Sequence, residues 1–111
     1  MSNSQLYKGS LNTIILKLLE ENGRMYGYEI TQRVKQLTNG DLVINEGALY
    51  PALHKLEAEG ALTVTVEPFG NRMRKYYAIT PVGKQVTTDR IAEFEAFLAN
   101  MALLLNPKTA I

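Results

Sequence analysis

The feature that most constrains this chain is a change in the spacing of its apolar residues. Up to Gly60 they recur three and four positions apart. From Leu62 to Val66 they alternate with Thr63, Thr65 and Glu67, and from Val82 onward the helical spacing returns. A helix gathers residues i, i+3 and i+4 on one face, whereas a strand gathers i and i+2. No single element type accommodates both patterns. The chain is therefore predicted to be mainly α with a small β-hairpin, an α+β fold.

The first helix is predicted over Ser10–Asn22, with Leu11, Ile14, Ile15, Leu18 and Leu19 on one face. Ser10 is expected as N-cap, its hydroxyl accepting from a first-turn amide, and Asn22-Gly23 as the stop. A second helix is predicted over Met25–Leu37, burying Tyr26, Ile30, Val34 and Leu37 and ending at Asn39-Gly40. Gly27 costs about 1 kcal/mol relative to Ala inside a helix, so it is placed in the first turn, beside a close neighbour. Leu42-Val43-Ile44 reads as either a brief strand or a packed linker. The third helix runs to Glu59 with Leu49, Ala52, Leu53 and Leu56 inward. Pro51 lacks the amide that a helix interior needs, a conflict that is milder in the first turn. Its regular part is expected to begin near Glu46 to Ala48, with Asn45 or Gly47 at the entry.

After Gly60, a half-buried strand from Leu62, a turn at Pro68-Phe69-Gly70-Asn71 and a second strand over Arg72–Ile79 form a hairpin. Thr80-Pro81 opens the last helix, with Thr as N-cap and Pro at the first helical position. Val82, Val86, Ile91, Phe94, Phe97, Leu98, Met101, Leu104 and Leu105 make its inner faces, and Asn106-Pro107 stops it. Its roughly 25 residues span ~37 Å. Met25, Met73 and Met101 read as packing residues.

Three short helices followed by a hairpin is the order of a winged helix-turn-helix domain, here residues 1–80. In that architecture the helix before the hairpin enters the DNA major groove and the hairpin touches the flanking backbone or minor groove. Residues 81–111 are predicted to form a long C-terminal dimerisation helix. Ile91, Phe94, Leu98, Met101 and Leu105 fall at alternating intervals of three and four, a two-helix seam that Phe97 and Leu104 widen. Left in water, such side chains forfeit on the order of 1.5–3 kcal/mol each, which predicts a homodimer. A symmetric dimer sets two reading helices about 34 Å apart, one turn of B-DNA.

Composition narrows the chemistry. The 111 residues include no Cys and one His, which excludes disulfides and thiolate sites and leaves a His-based metal site short of ligands. No phosphate loop, dinucleotide fingerprint or nucleophile–base pair is visible, so neither an enzyme nor a cofactor is expected. No apolar run reaches the roughly 18 residues that suggest a spanning helix. A cytoplasmic protein without membrane association is the expectation. Lys+Arg (12) nearly cancel Asp+Glu (11). Affinity for a polyanion must therefore come from where the cations stand rather than from bulk charge.

Three runs then carry a resemblance. Tyr26-Gly27-Tyr28-Glu29-Ile30, Glu46-Gly47-Ala48-Leu49-Tyr50-Pro51-Ala52-Leu53-His54-Lys55-Leu56 and Arg74-Lys75-Tyr76-Tyr77-Ala78-Ile79-Thr80-Pro81 resemble the PadR-like transcriptional regulators, over about Ser10 to Lys84. The resemblance implies a prokaryotic DNA-binding repressor, dimeric through its C-terminal helix and paired with an inverted-repeat operator in double-stranded DNA. The chain's length is similar to the short branch of that family, which ends in one long helix. For some short members the family implies a small aromatic effector held between subunits. This chain has no Trp, so stacking on such a ligand falls to Phe94, Phe97 or a tyrosine.

With Leu49, Leu53 and Leu56 inward, Gly47, Tyr50, Pro51, His54 and Lys55 face outward. Tyr50 can donate to phosphate, Lys55 can pair with phosphate or guanine, and Gly47 admits close backbone approach. The candidate DNA contacts are Tyr26, Asn45, Gly47, Tyr50, His54, Lys55, Gly70, Arg72, Arg74 and Lys75. Tyr7 and Lys8 could touch backbone ahead of the first helix. Each has a plainer alternative: Tyr26 and Tyr50 as packing, Lys55 and the hairpin cations as solvated charge, Lys75 as a stem covering apolar surface. A winged-helix module that binds protein or ligand and not DNA is the rival function, supported by the near-neutral charge.

Overall fold

The computed structural model describes residue 7 and residues 9–106. Lys8 and Pro107 lie outside the described residues. The chain folds as helix α1 (Leu11–Asn22), strand β1 (Met25–Tyr26), α2 (Gly27–Leu37), α3 (Glu46–Ala58), strands β2 (Leu62–Phe69) and β3 (Arg72–Ile79), and α4 (Pro81–Leu105). The antiparallel sheet has the order β1-β3-β2. This is the expected winged-helix arrangement, α+β, with one strand more than the hairpin. No helix of the described residues is long and apolar enough to cross a membrane.

The added strand corrects the predicted start of the second helix. Met25 and Tyr26 pair with Tyr77 and Tyr76 of β3 instead of entering the helix. Tyr26 keeps extended backbone angles as the α2 N-cap, and Glu29 reaches back to accept from its amide at 3.0 Å. A pair of residues held against a neighbouring strand, with the Tyr26 amide answered by Glu29, has no need of a helical turn. Gly27 thus does open the helix.

One core joins the three short helices to the base of the hairpin. Ile15, Leu16 and Leu19 of α1, Ile30 and Val34 of α2, Leu49, Leu53 and Leu56 of α3, and Leu62 and Tyr77 of the sheet are all buried. Leu16, absent from the predicted face, is fully enclosed because α1 is contacted by α3, by β3 and by α4. Leu42-Val43-Ile44 is a packed linker: Leu42 and Ile44 point inward and Val43 outward. Several expected core positions are open. Leu37 is 65% exposed in the last turn of α2, and Val82 is 56% exposed on the far side of α4. Of the helix's apolar residues only Val86 packs against the core. Tyr7 packs against the core as well.

Helix ends follow local chemistry with one exception. Asn45 caps α3 by accepting from the Ala48 amide at 2.9 Å, and Thr80 caps α4 by accepting from the Gly83 amide at 3.0 Å. Ser10 holds the N-cap position of α1 in helical backbone angles, which turn its hydroxyl away from the capping bond. Pro51 lies in the second turn of α3, not the first. Its missing amide leaves the Gly47 carbonyl without an i+4 donor, on the exposed side of the helix.

The hairpin turn is also shorter than predicted. Pro68 and Phe69 continue β2, opposite Met73 and Arg72, and only Gly70 and Asn71 form the loop. Gly70 has φ +60°, the conformation a two-residue loop with glycine first requires. Pro68 is tolerated because β2 is an edge strand. Burial fades along the hairpin: Leu62 is enclosed, Val64 half-buried and Val66 exposed. Met73, expected to pack, is 64% exposed because the strands outrun the helices there.

The root of α4 is in close backbone contact with the start of the hairpin. The Thr80 amide donates to the Ala61 carbonyl at 3.0 Å and its hydroxyl to the Gly60 carbonyl at 2.6 Å. A Cβ on Gly83 would stand 2.2 Å from the Ala61 carbonyl oxygen and 2.7 Å from Ile79. Backbone cannot yield as a side-chain tip can. Gly83→Ala is therefore expected to destabilise the fold by about 1–3 kcal/mol, read as a lower denaturant midpoint. An unchanged midpoint would mean that α4 is not seated on the hairpin root.

Candidate nucleic-acid interface

An open cleft of about 670 Å³ lies between the first turns of α2 and α3 and the distal half of β3. Tyr26, Tyr50, Arg72, Arg74 and Lys75, five of the predicted contacts, line it together with Gly27, Tyr28, Glu46, Phe69, Met73 and Tyr77. The helix order creates this meeting: α3 is pinned inward by Leu49, Leu53 and Leu56, which turns Tyr50 outward toward the hairpin.

Tyr50 lies across the start of α2. A Cβ on Gly27 would come within 2.5 Å of the Tyr50 hydroxyl, so Gly27 supplies the close approach anticipated for it. Tyr77 is buried at the floor. Burial pushes its phenol pKa up, and the nearby Tyr50 and Glu57 add to the shift. The phenol therefore stays neutral at ordinary pH.

The other predicted contacts do not line this cleft. Lys55 borders a smaller groove with Asn12, Pro51, Ala52 and Arg90, on another side of α3. His54 and Gly47 are exposed on α3, and Gly70 is exposed at the hairpin tip. Asn45 commits its side-chain oxygen to capping and keeps only its NH2 group for a partner.

One face of the sheet, which reaches the cleft through Arg72, Arg74 and Phe69, holds contacts that the sequence does not announce. Alternate residues of a strand share a face, so Arg72, Arg74 and Tyr76 stand together, opposite Phe69, Glu67 and Thr65. The Arg74 guanidinium carbon lies 3.8 Å from the Tyr26 ring centre and 3.4 Å from that of Phe69. Tyr26 meets Tyr76 edge-on at 5.8 Å, and Arg24 covers Tyr76 at 4.2 Å. Arg24 also forms a two-pronged ion pair with Glu67, one arm at 2.9 Å. Arg24, Phe69 and Arg90 carried no motif. Only a strand register places Arg24 beside a residue 43 positions later.

The Arg24 hydrogen bonds hold the Glu67 carboxyl below its ordinary value of 4.5, while partial desolvation opposes them. A lowered folded-state pKa contributes stability above the ordinary value and loses it as pH falls through the folded value. The pair is solvent-exposed, so the contribution is small. Wild type should therefore lose slightly more stability than Glu67→Gln between pH 5 and about pH 2 in denaturation curves. Parallel curves would mean that the pair does not persist in solution.

Comparison with known proteins agrees with this geometry. The family model described as the transcriptional regulator PadR-like family matches residues 15–89. An uncharacterised protein of Lysinibacillus sphaericus is 35% identical over 95 residues, 85% of this chain and 86% of that protein. A transcriptional regulator from Clostridium thermocellum superposes with a TM-score of 0.82 at 34% identity, covering 89% of this chain and 93% of the other. Bacillus subtilis PadR, solved in complex with operator DNA, superposes with a TM-score of 0.66 at 33% identity, covering 73% of this chain and 46% of that one. By sequence match and by fold, this chain belongs to the PadR-like family of transcriptional regulators.

Proposed function

We propose that the chain represses transcription as a homodimer, with α3 in the major groove of each half of an inverted-repeat operator and the β2–β3 hairpin as wing. The observation that carries this reading is the cleft where Arg72, Arg74 and Lys75 meet the exposed first turns of α2 and α3. Helix N-termini present amides without intrahelical partners, and with flanking cations they suit a phosphate backbone. Bacillus subtilis PadR, crystallised on its operator, supports DNA as the partner. Across α3, Tyr50, His54 and Lys55 present donors to base edges, and Asn45 retains its NH2 group.

Dimerisation rests on α4. Phe94, Phe97, Leu98, Leu104 and Leu105 are exposed in the single chain, and Ile91 and Met101 half-buried. Leu104 and Leu105 are 73% and 75% open. Contiguous apolar surface of this kind on a soluble domain marks an association site. Phe94 and Phe97 stack at 6.1 Å and form the aromatic surface available to a flat effector between two such helices.

Binding to duplex should weaken steeply with salt, because each phosphate contact releases counterions at a slope of about −0.9. Reversing Arg72 and Arg74 to Glu should lower affinity for all sequences and flatten that slope. Substituting Tyr50 or Lys55 should change sequence preference more than non-specific binding. A flat salt response of the unaltered protein would favour the rival module that binds no DNA. Independently, Leu98→Glu should convert the dimer to monomer in sedimentation at micromolar concentration. A dimer that survives it would move the interface off α4.

A further inference from the structure

Glu67 and Arg74 are direct cross-strand partners on one face of the hairpin, the arrangement in which opposite charges ordinarily pair. They do not pair here. Both Glu67 oxygens are taken by Arg24, which arrives from the loop before β1. The Arg74 guanidinium has no hydrogen bond or ion pair among the described residues, although the residue is half-buried and borders the cleft. Its contacts are the Tyr26 and Phe69 rings, whose centres both lie within 4 Å of the guanidinium carbon. Two rings fit that close only on different sides of the group. A guanidinium covered on its faces offers its five N–H donors at the edge, in one plane.

Resting on the DNA-binding reading above, we propose that Arg24, Tyr26 and Phe69 are positioning residues: Arg24 keeps Glu67 from neutralising Arg74, and the two rings hold Arg74 ready for a backbone phosphate. A side chain fixed before binding loses less rotamer freedom on contact, so each phosphate bond yields more affinity. The arrangement also explains why two arginines on the same sheet face have different fates. Arg24 has its charge answered within the protein, and Arg74 does not.

The test is a set of variants of the full chain, read by duplex affinity across salt concentrations. Arg24 is exposed and Glu67 and Arg74 are half-buried, so thermal midpoints verify that each variant folds. Arg24→Gln frees Glu67 to pair with Arg74 and should weaken binding roughly 2- to 10-fold. Adding Glu67→Gln should restore affinity. That restoration should vanish when Arg74 is also changed to Gln, whereas a general effect of charge would persist there. Arg74→Gln alone should reduce the salt slope by about 0.9 for each protomer, about 1.8 for the dimer. Phe69→Leu should weaken binding without reducing the slope and add nothing to Arg74→Gln, while Phe69→Tyr, which keeps a ring, should bind as wild type.

Strictly additive effects of the Arg24 and Glu67 substitutions, or rescue that survives Arg74→Gln, would overturn the role of Arg24. A Phe69→Leu effect that persists without Arg74 would overturn the clamp. These outcomes are distinct from failure of the DNA-binding reading itself, which a flat salt response in the wild-type protein would reveal.

Discussion

The seat of α4 on the hairpin root governs how the parts of this molecule relate. Gly83 leaves no room for a Cβ beside the Ala61 carbonyl, and Thr80 binds Gly60 and Ala61 through both hydroxyl and amide. Two stretches of backbone, Gly60-Ala61 and Thr80 to Gly83, are in direct contact there. From this point the hairpin runs out for eight residues per strand and α4 for 25 residues. Both arms are long relative to their shared root, so a small rotation at the root becomes a large displacement at either end. The clasp therefore sets the angle between the arm proposed to join protomers and the arm proposed to follow DNA. An effector that alters the angle between two α4 helices would act on wing spacing through this contact, provided it binds the two spacings unequally.

The electrostatic design follows the same economy. With a net charge of +1, the chain has no general attraction for a polyanion. Its usable field is local: Arg72, Arg74 and Lys75 stand on one strand, above the amide ends of two helices. A cross-strand glutamate would cancel part of that field, and Arg24 diverts it. Aromatic rings contribute where carboxylates would be costly, since they attract a guanidinium without removing its charge.

Much of the fold was legible because the core obeys local periodicity. Leu49, Leu53 and Leu56 define the inward face of α3 by spacing alone, and Tyr50 and His54 follow as its outward face. Thr80-Pro81 and Asn45 announce helix starts through the chemistry of a single turn. The failures lie where spacing alone does not decide. Leu37 and Val82 satisfy the helical spacing, yet no neighbouring element lies over them. Met25-Tyr26 continues an apolar helical pattern, yet it pairs as a strand with β3. Pro68-Phe69 has turn composition, yet a two-residue loop at Gly70-Asn71 suffices, and the strand continues through it. The first two depend on how distant elements pack, and the last on which residues close the hairpin.

The same division holds for the site. The sequence by itself determined the order of elements, the outward residues of α3, the cationic strand and the apolar length of α4. These are properties of short stretches whose hydrophobic period and capping groups act within a turn or two. Only the tertiary structure decided which cations gather at the cleft, that Lys55 belongs to a different groove with Arg90, and that Glu67 answers Arg24 rather than Arg74. Strand register and helix crossing bring those groups together. Neither leaves a trace in local spacing, because the free energy that selects them comes from packing between segments tens of residues apart.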